Sequence, residues 1–231
     1  GYIPSAGSPV YQPTYQHNLD ISLAAEKHGL DCVLSMMKFR GFGGETGYWD
    51  SCLESFTLMA GLAAATETIG LFPSISILSQ HPAVVARMVA TIDDISDGRC
   101  GLNIVTGWNR PEYAQMGMWP GDEHYQRRYD YAGEYVQILQ ALWRDGRATW
   151  EGEYFQLDDC SVLPQPKRDI PLVCAGQSPA GRQFVAQYAD HQFVLTSEDN
   201  LVTSGKDIRA KAQSTGRDVG IYALFHLIVA D

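Results

Sequence analysis

Short apolar runs alternate along this chain with stretches whose apolar residues recur every three or four positions. Residues 31–36, 69–77, 101–105, 170–174, 191–195 and 221–229 form runs of the first kind, the pattern of strands buried on both faces of a parallel sheet. Between them, residues 17–30, 53–66, 82–96, 125–143, 180–188 and 207–215 read as helices. The third opens on Pro82 and stops short of Gly98, with Val85, Met88, Ile92 and Ile95 marking one face. The fourth repeats Tyr129, Ala132, Val136, Leu139 and Trp143 at helical spacing.

Six strands and six helices in alternation make βαβ units. A doubly wound open sheet and a (β/α)-barrel both fit that count. A closed barrel takes eight strands, so the barrel reading expects one strand before Gly1 and another after Asp231. Residues 148–167 break the rhythm, and within them 150–157 have the pattern of a small hairpin. No repeat or linker interrupts the chain, which is expected to form one domain over 1–231.

Composition narrows the picture. Hydrophobic residues make up 45% of the 231, enough for a substantial core. The net charge of -10 argues against a nucleic-acid or anionic-membrane surface, which needs a basic patch. No signal peptide is visible, although the chain starts without Met, and no apolar run is long enough to span a bilayer. Five cysteines with no C-x-x-C pair argue against a disulfide framework or a zinc ribbon. Cys32, Cys100 and Cys174 read as core residues of a reducing, cytoplasmic protein. The six histidines are scattered, so no metal is expected.

Four strand ends carry candidate chemistry, as parallel α/β folds lead one to expect. After the first strand, Met37, Lys38, Phe39 and Arg40 precede a Gly-Phe-Gly-Gly run at 41–44, which reads as a mobile loop over a site or a solvated turn. Ser74 and Ser76 interrupt an apolar strand, able to contact a ligand or to bond nearby backbone. Asn103 lies in a central strand, where its burial is costly unless it is paired. It suits a redox ring edge that alternates donors and acceptors, or a purely structural role. At Gly176-Gln177-Ser178-Pro179 a strand turns into a helix, whose free N–H groups and dipole can take a phosphate. That turn also comes one residue short of a nucleophile elbow, with His226 the remaining partner for a triad. Arg127 and Arg128 open the longest helix against its dipole; Arg128 invites an anionic partner, whereas Arg127 reads as solvated.

Ser96-Asp-Gly-Arg99 followed by Gly-Leu-Asn-Ile-Val-Thr-Gly-Trp at 101–108 resembles the signature of the bacterial-luciferase-like flavin monooxygenases. The blocks at 40–44, 53–64, 111–117, 119–122, 127–131 and 174–178 are similar to the pyrimidine oxygenases within that family, nearly end to end. The resemblance implies a TIM barrel, reduced FMN supplied by a separate NADH-dependent flavin reductase, and O2. It implies that FMN is held by Met37, Lys38, Asn103, Glu112, Arg128, Tyr129, Gln177 and Ser178. Asn103 and Ser74 would border the oxygen, which the family is thought to add at the flavin N5 as a peroxide. Leu34 and Ser74 would line the substrate side, and the chain would pair into a homodimer or larger homo-oligomer.

Uracil or thymine is the first expectation for the ring that is opened. The sequence departs from the pyrimidine oxygenases at Ser74, where they carry Thr, and over 1–11, 75–81 and 196–204. Other rings therefore stay open, as in riboflavin-cleaving lyases and sulfur-heterocycle oxygenases. So do a deazaflavin-dependent hydride-transfer enzyme on the same barrel and a non-enzymatic flavin carrier.

Overall fold

The computed structural model describes residues 13–195 and 197–224. It divides into two compact units, residues 1–170 and 171–231. In the first, α1 (Tyr15–Lys27), β1 (Cys32–Leu34), α2 (Ser55–Ala65), β2 (Gly70–Phe72), β3 (Ser74–Ser76), α3 (Pro82–Ile95), β4 (Leu102–Val105), α4 (Arg110–Ala114) and α5 (His124–Asp145) precede a hairpin of β5 (Arg147–Glu151) and β6 (Gln156–Ser161). β1 pairs with β2 in parallel, Cys32 opposite Gly70. β3 pairs with β4 in parallel, Ser74 opposite Asn103.

The run 69–77, expected as one strand, is two. Pro73 has no N–H to give to a ladder, so the pairing changes there. Before it, Ser35 N donates to Phe72 O at 3.0 Å; after it, Ser74 N donates to the side chain of Ser55 at 2.7 Å. Further along, Asn103 N donates to Pro73 O at 2.9 Å and Ile77 N to Val105 O at 3.1 Å.

The core of this unit lies where α3 meets α5. Val85, Ala86 and Val89 face it from one side and Tyr135, Val136, Leu139 and Leu142 from the other, all fully buried. The expected apolar stripe of α3 is thus shifted: Ile95 is exposed, and the small Ala86 and Ala90 let the helices close up. Trp143 is only half-buried and donates Nε1–H to Ala86 O at 3.1 Å. α4 went unforeseen because five residues are too few to show a helical period. Cys32 is half-buried rather than core, whereas Cys100 and Cys174 are buried.

Ser96 to Arg99 form the stop of α3 and the way into β4. Asp97 and Gly98 take positive φ, 55° and 84°. Arg99 closes the end of α2: its guanidinium donates to Ala63 O, Thr66 O, Thr66 Oγ1 and Ile69 O at 2.7–3.0 Å and to Ser96 O at 2.7 Å. Four carbonyls in so small a space suit a planar five-donor fork and not an ammonium. The hairpin forms where expected, antiparallel with Glu151 opposite Gln156. Glu134 of α5 holds its turn, accepting from Trp150 Nε1 and from the N–H groups of Glu153, Tyr154 and Phe155 at 2.9–3.1 Å.

In the second unit β7 (Leu172–Cys174), α6 (Pro179–Tyr188), β8 (His191–Val194), α7 (Glu198–Gln213) and β9 (Gly220–Ala223) alternate. β8 lies between the other two strands, parallel to both. α7 begins nine residues before the expected 207, because its first turns carry too few apolar residues to read as periodic. β9 ends at Ala223; the rest of the expected strand over 225–229, His226, Thr196 and residues 1–11 lie outside the described residues. Among those described are nine strands and seven helices; six of each were expected beside the hairpin, and the additions are the strand split at Pro73 and the helix α4. None of the helices is long and apolar enough to cross a membrane.

Candidate active site

Two clusters in the first unit gather most of the expected site residues. The first joins the segment after β1 to α4. Pro111 sets the first turn of α4 and puts Glu112 inside it. Lys38 Nζ reaches Glu112 Oε2 at 2.6 Å, and Phe39 N donates to Glu112 Oε1 at 2.8 Å. The side chains are 7% and 4% exposed. The ammonium also lies 4.6 Å from the centre of the Phe42 ring and 5.6 Å from that of Trp108. A cation and a carboxylate taken so far out of water persist only because each answers the other; alone, either would be strongly destabilising. Met37 precedes Lys38, half-buried.

The glycine run beyond Arg40 is not a loose loop. Phe42 N donates to Tyr48 O at 2.8 Å, Tyr48 N to Gly43 O at 3.0 Å, and Gly43 N to Asp50 Oδ1 at 3.0 Å. Phe42, Tyr48 and Trp49 pack together with ring centres 4.7–5.9 Å apart, Tyr48 stacked on both neighbours. Glycine is required at 41, where a Cβ would strike Asp50 and the Trp49 backbone. The turn holds Phe42 under the Lys38 ammonium.

The second cluster is a chain of small polar groups. Asn103 Nδ2 donates to Ser74 Oγ at 2.8 Å, and Ser74 Oγ donates to Ser35 O. Ser55 Oγ accepts from Ser74 N at 2.7 Å and bonds Ser35 Oγ. All four residues are buried, and Asn103 Oδ1 is buried without a hydrogen-bond partner. Leu34, half-buried at the end of β1, lines a cavity of about 120 Å3 with Ser35, Met36 and Cys52 among others.

The clusters are tied by Ser76, singled out above beside Ser74, and by Tyr113 and His124, to which the sequence assigned no role. Ser76 Oγ donates to Tyr113 Oη at 2.7 Å, fastening α4 to β3. Burial pushes the Tyr113 phenol up to about 12, so it stays neutral and hydrogen-bonded. His124 bonds Thr106 O at 3.2 Å, and its burial lowers it below the ordinary histidine range. The only signal for Ser35 and Ser55 was a hydroxyl among apolar neighbours.

At the start of α5, the Arg128 guanidinium lies over the rings of Tyr125 and Tyr129, 4.1 and 4.7 Å from their centres, and donates to Tyr125 O. Arg127 is exposed, as expected, but engaged: it takes both oxygens of Glu153 at 2.5 and 2.9 Å.

In the second unit, Ser178 caps α6, accepting from Gly181 N at 3.1 Å in ordinary extended backbone, φ -68° and ψ 162°. A nucleophile elbow holds its serine in a strained turn, so Ser178 is a cap and not an elbow nucleophile. Gln177 is exposed, and its carbonyl accepts from Arg182 Nη1 at 3.0 Å. Gln192, fully buried, donates to Gly176 O at 2.7 Å.

Each unit, taken by itself, has groups that fit part of a flavin. In the first, a buried amide oxygen lacking a donor and a desolvated cation suit a polar ring edge; in the second, the start of a ten-residue helix suits a phosphate.

The fold and the buried polar set define a class. The chain belongs to the luciferase-like monooxygenase family, whose pattern matches residues 3–231. It is 53% identical over 233 residues to the pyrimidine monooxygenase RutA of Methylorubrum extorquens, covering 99% of this chain and 64% of that protein. It is 50% identical to the enzyme of the same name from Rhizobium rhizogenes, covering 100% and 64%. The chain therefore spans about 64% of the length of these curated relatives. Among solved structures, a riboflavin lyase with modified FMN and substrate riboflavin superposes with a TM-score of 0.82 at 25% identity, over 92% of this chain and 55% of that one.

Proposed function

We propose that this protein is the oxygenase component of a two-component flavin monooxygenase that opens a nitrogen heterocycle, uracil or thymine first. The observation that carries the reading is Asn103, buried in β4 with Nδ2 committed to Ser74 and Oδ1 unpartnered. An amide left half-satisfied in a core costs stability unless a ligand completes it. The names of the relatives at 50–53% identity and of the riboflavin lyase support a flavin and a cyclic amide or related ring.

In this reading FMN, reduced by a separate NADH-dependent flavin reductase, supplies the electrons that activate O2. Asn103 and Ser74 border the oxygen, and Leu34 with Ser74 the substrate. Met37, Lys38, Glu112, Arg128 and Tyr129 hold the cofactor. Glu112 contributes by fixing the Lys38 ammonium, while Tyr113, bonded to Ser76, anchors the helix that carries Glu112. Gln177, Ser178 and the start of α6 take the phosphate, where N–H groups and the helix dipole favour an anion. Burial keeps water from competing at Lys38, Ser74 and Asn103. The enzyme acts in the cytoplasm, as a single (β/α)-barrel domain that pairs into a homo-oligomer.

The test is incubation with FMN, NADH, a flavin reductase and uracil in air. Uracil loss well above the enzyme-free control is expected. No loss removes that substrate, and a mass-spectrometric screen that includes riboflavin then reads the alternatives. Turnover that persists without O2 would overturn the oxygenase reading in favour of hydride transfer.

A further inference from the structure

We propose that Ser55 is a positioning residue that decides which end of the Asn103 amide a ligand meets, and that the ligand group meeting it is a ring N–H. The inference rests on the flavin reading above and goes on to the polarity of that site.

The placement of protons fixes the orientation of the amide. Ser74 Oγ and Ser35 O are hydrogen-bonded. A carbonyl carries no proton, so the hydroxyl proton of Ser74 is spent there. Ser74 Oγ is then an acceptor on its remaining side, where the Asn103 amide arrives at 2.8 Å. Only the Nδ2 end can face it; the reverse orientation would set two acceptors against each other. Oδ1 is thereby left as the buried atom without a partner, and an acceptor calls for a donor.

Ser55 holds this arrangement together. Its hydroxyl accepts the backbone N–H of Ser74 at 2.7 Å and bonds the hydroxyl of Ser35. One oxygen thus clamps the two residues whose contact commits the Ser74 proton. Ser55 is 0% exposed. A serine at a helix start ordinarily spends its hydroxyl on capping. Here Glu54 does that work, accepting from Phe56 N at 2.9 Å and Thr57 N at 2.7 Å, and so leaves the Ser55 hydroxyl to β3.

Three ring N–H groups come into question: the N5–H that only reduced FMN has, the N3–H that both redox states share, and the N–H of a cyclic amide such as uracil. The experiment separates them. Ser55→Ala, Ser55→Thr and Ser74→Ala are compared with the wild type. Affinities for oxidised FMN and, without oxygen, for reduced FMN are measured, along with the flavin midpoint potential, KM and kcat for uracil, and melting temperature. If the N5–H of reduced FMN is the donor, Ser55→Ala lowers the ratio of reduced to oxidised affinity about tenfold, the weight of one buried hydrogen bond, and the potential falls with it. A fall in both FMN affinities at constant ratio in Ser55→Ala assigns the shared N3–H. If the substrate is the donor, both FMN affinities hold and KM for uracil rises about tenfold at similar kcat. Ser55→Thr keeps the hydroxyl and is expected to retain most of each property. Should Ser55→Ala not fold, Ser74→Ala carries the same test, since it removes the acceptor that orients Nδ2. The proposal is overturned if both FMN affinities, potential and KM all stay at wild-type values while only the melting temperature drops. It is also overturned if Ser55→Thr, melting with the wild type, loses as much as Ser55→Ala. Wild-type protein that binds no FMN would defeat the flavin reading itself, a failure recognisable because it needs no substitution.

Discussion

Two ion pairs in the first unit have nearly the same length and opposite settings. Lys38 and Glu112 meet at 2.6 Å with side chains 7% and 4% exposed; Arg127 and Glu153 meet at 2.5 Å with side chains 49% and 57% exposed. The exposed pair joins α5 to the turn of the hairpin, whose position Glu134 already secures through backbone N–H groups. The buried pair joins the segment after β1 to α4, which Phe39 N and the side chain of Gln115 also bridge. Distance alone therefore says little about an ion pair. Water decides, since it screens one pair and would have to be restored to the other.

The comparison can be broken most directly at Glu112. Glu112→Ala leaves Lys38 buried and unpaired, and should cost about 3–5 kcal/mol in urea denaturation and abolish FMN binding by titration. A cost under about 1 kcal/mol would mean that Lys38 escapes to water and that the two pairs are alike. Next in size is Arg99→Lys. An ammonium cannot span the carbonyls that the guanidinium fork serves, so about 2 kcal/mol should be lost, with oxidised-FMN affinity retained in the folded protein.

Glu26 sharpens the contrast from the side of pH. One of its oxygens accepts from the N–H groups of Glu67, Thr68 and Ile69. The Thr68 bond, foremost among these, holds the carboxyl down to about 2 from the ordinary 4.5. The folded state then resists protonation more than the unfolded state does. This contribution is complete above about 4.5 and is lost as pH falls towards 2. Melting curves of wild type and Glu26→Gln should differ at pH 6 and draw together at pH 3; a gap that widens on acidification would refute the assignment. The smallest effect is expected of Arg127→Ala: a melting temperature within about 2 °C of wild type, with even that difference shrinking in high salt.

The polar interruptions at Ser74 and Asn103 were legible because an apolar strand makes a buried hydroxyl or amide conspicuous. The helix start at Ser178 was legible from its Gly and Pro neighbours. Ser55 was not, since a serine near a helix start has an ordinary explanation in capping, and only the Glu54 side chain removes it. Tyr113 was hidden in a five-residue helix too short to show a period. The break at Pro73 was in plain view, yet it was passed over because the apolar run continues on both sides of it.

What the sequence determined by itself was the alternation of strands and helices, a hairpin around 150–157, and two blocks, 101–108 and 111–117, whose Asn103 and Glu112 are the centres of the two buried clusters. Those features are local, or are carried by residue type. What only the tertiary structure decided was pairing: that Lys38 belongs to Glu112, that Arg99 belongs to the end of α2, and that the proton of Ser74 goes to Ser35. Each of these joins residues 33 to 74 positions apart. Hydrogen bonds and desolvation depend on which atoms meet and on what water is left between them. Neither is written in the spacing of residues along a chain.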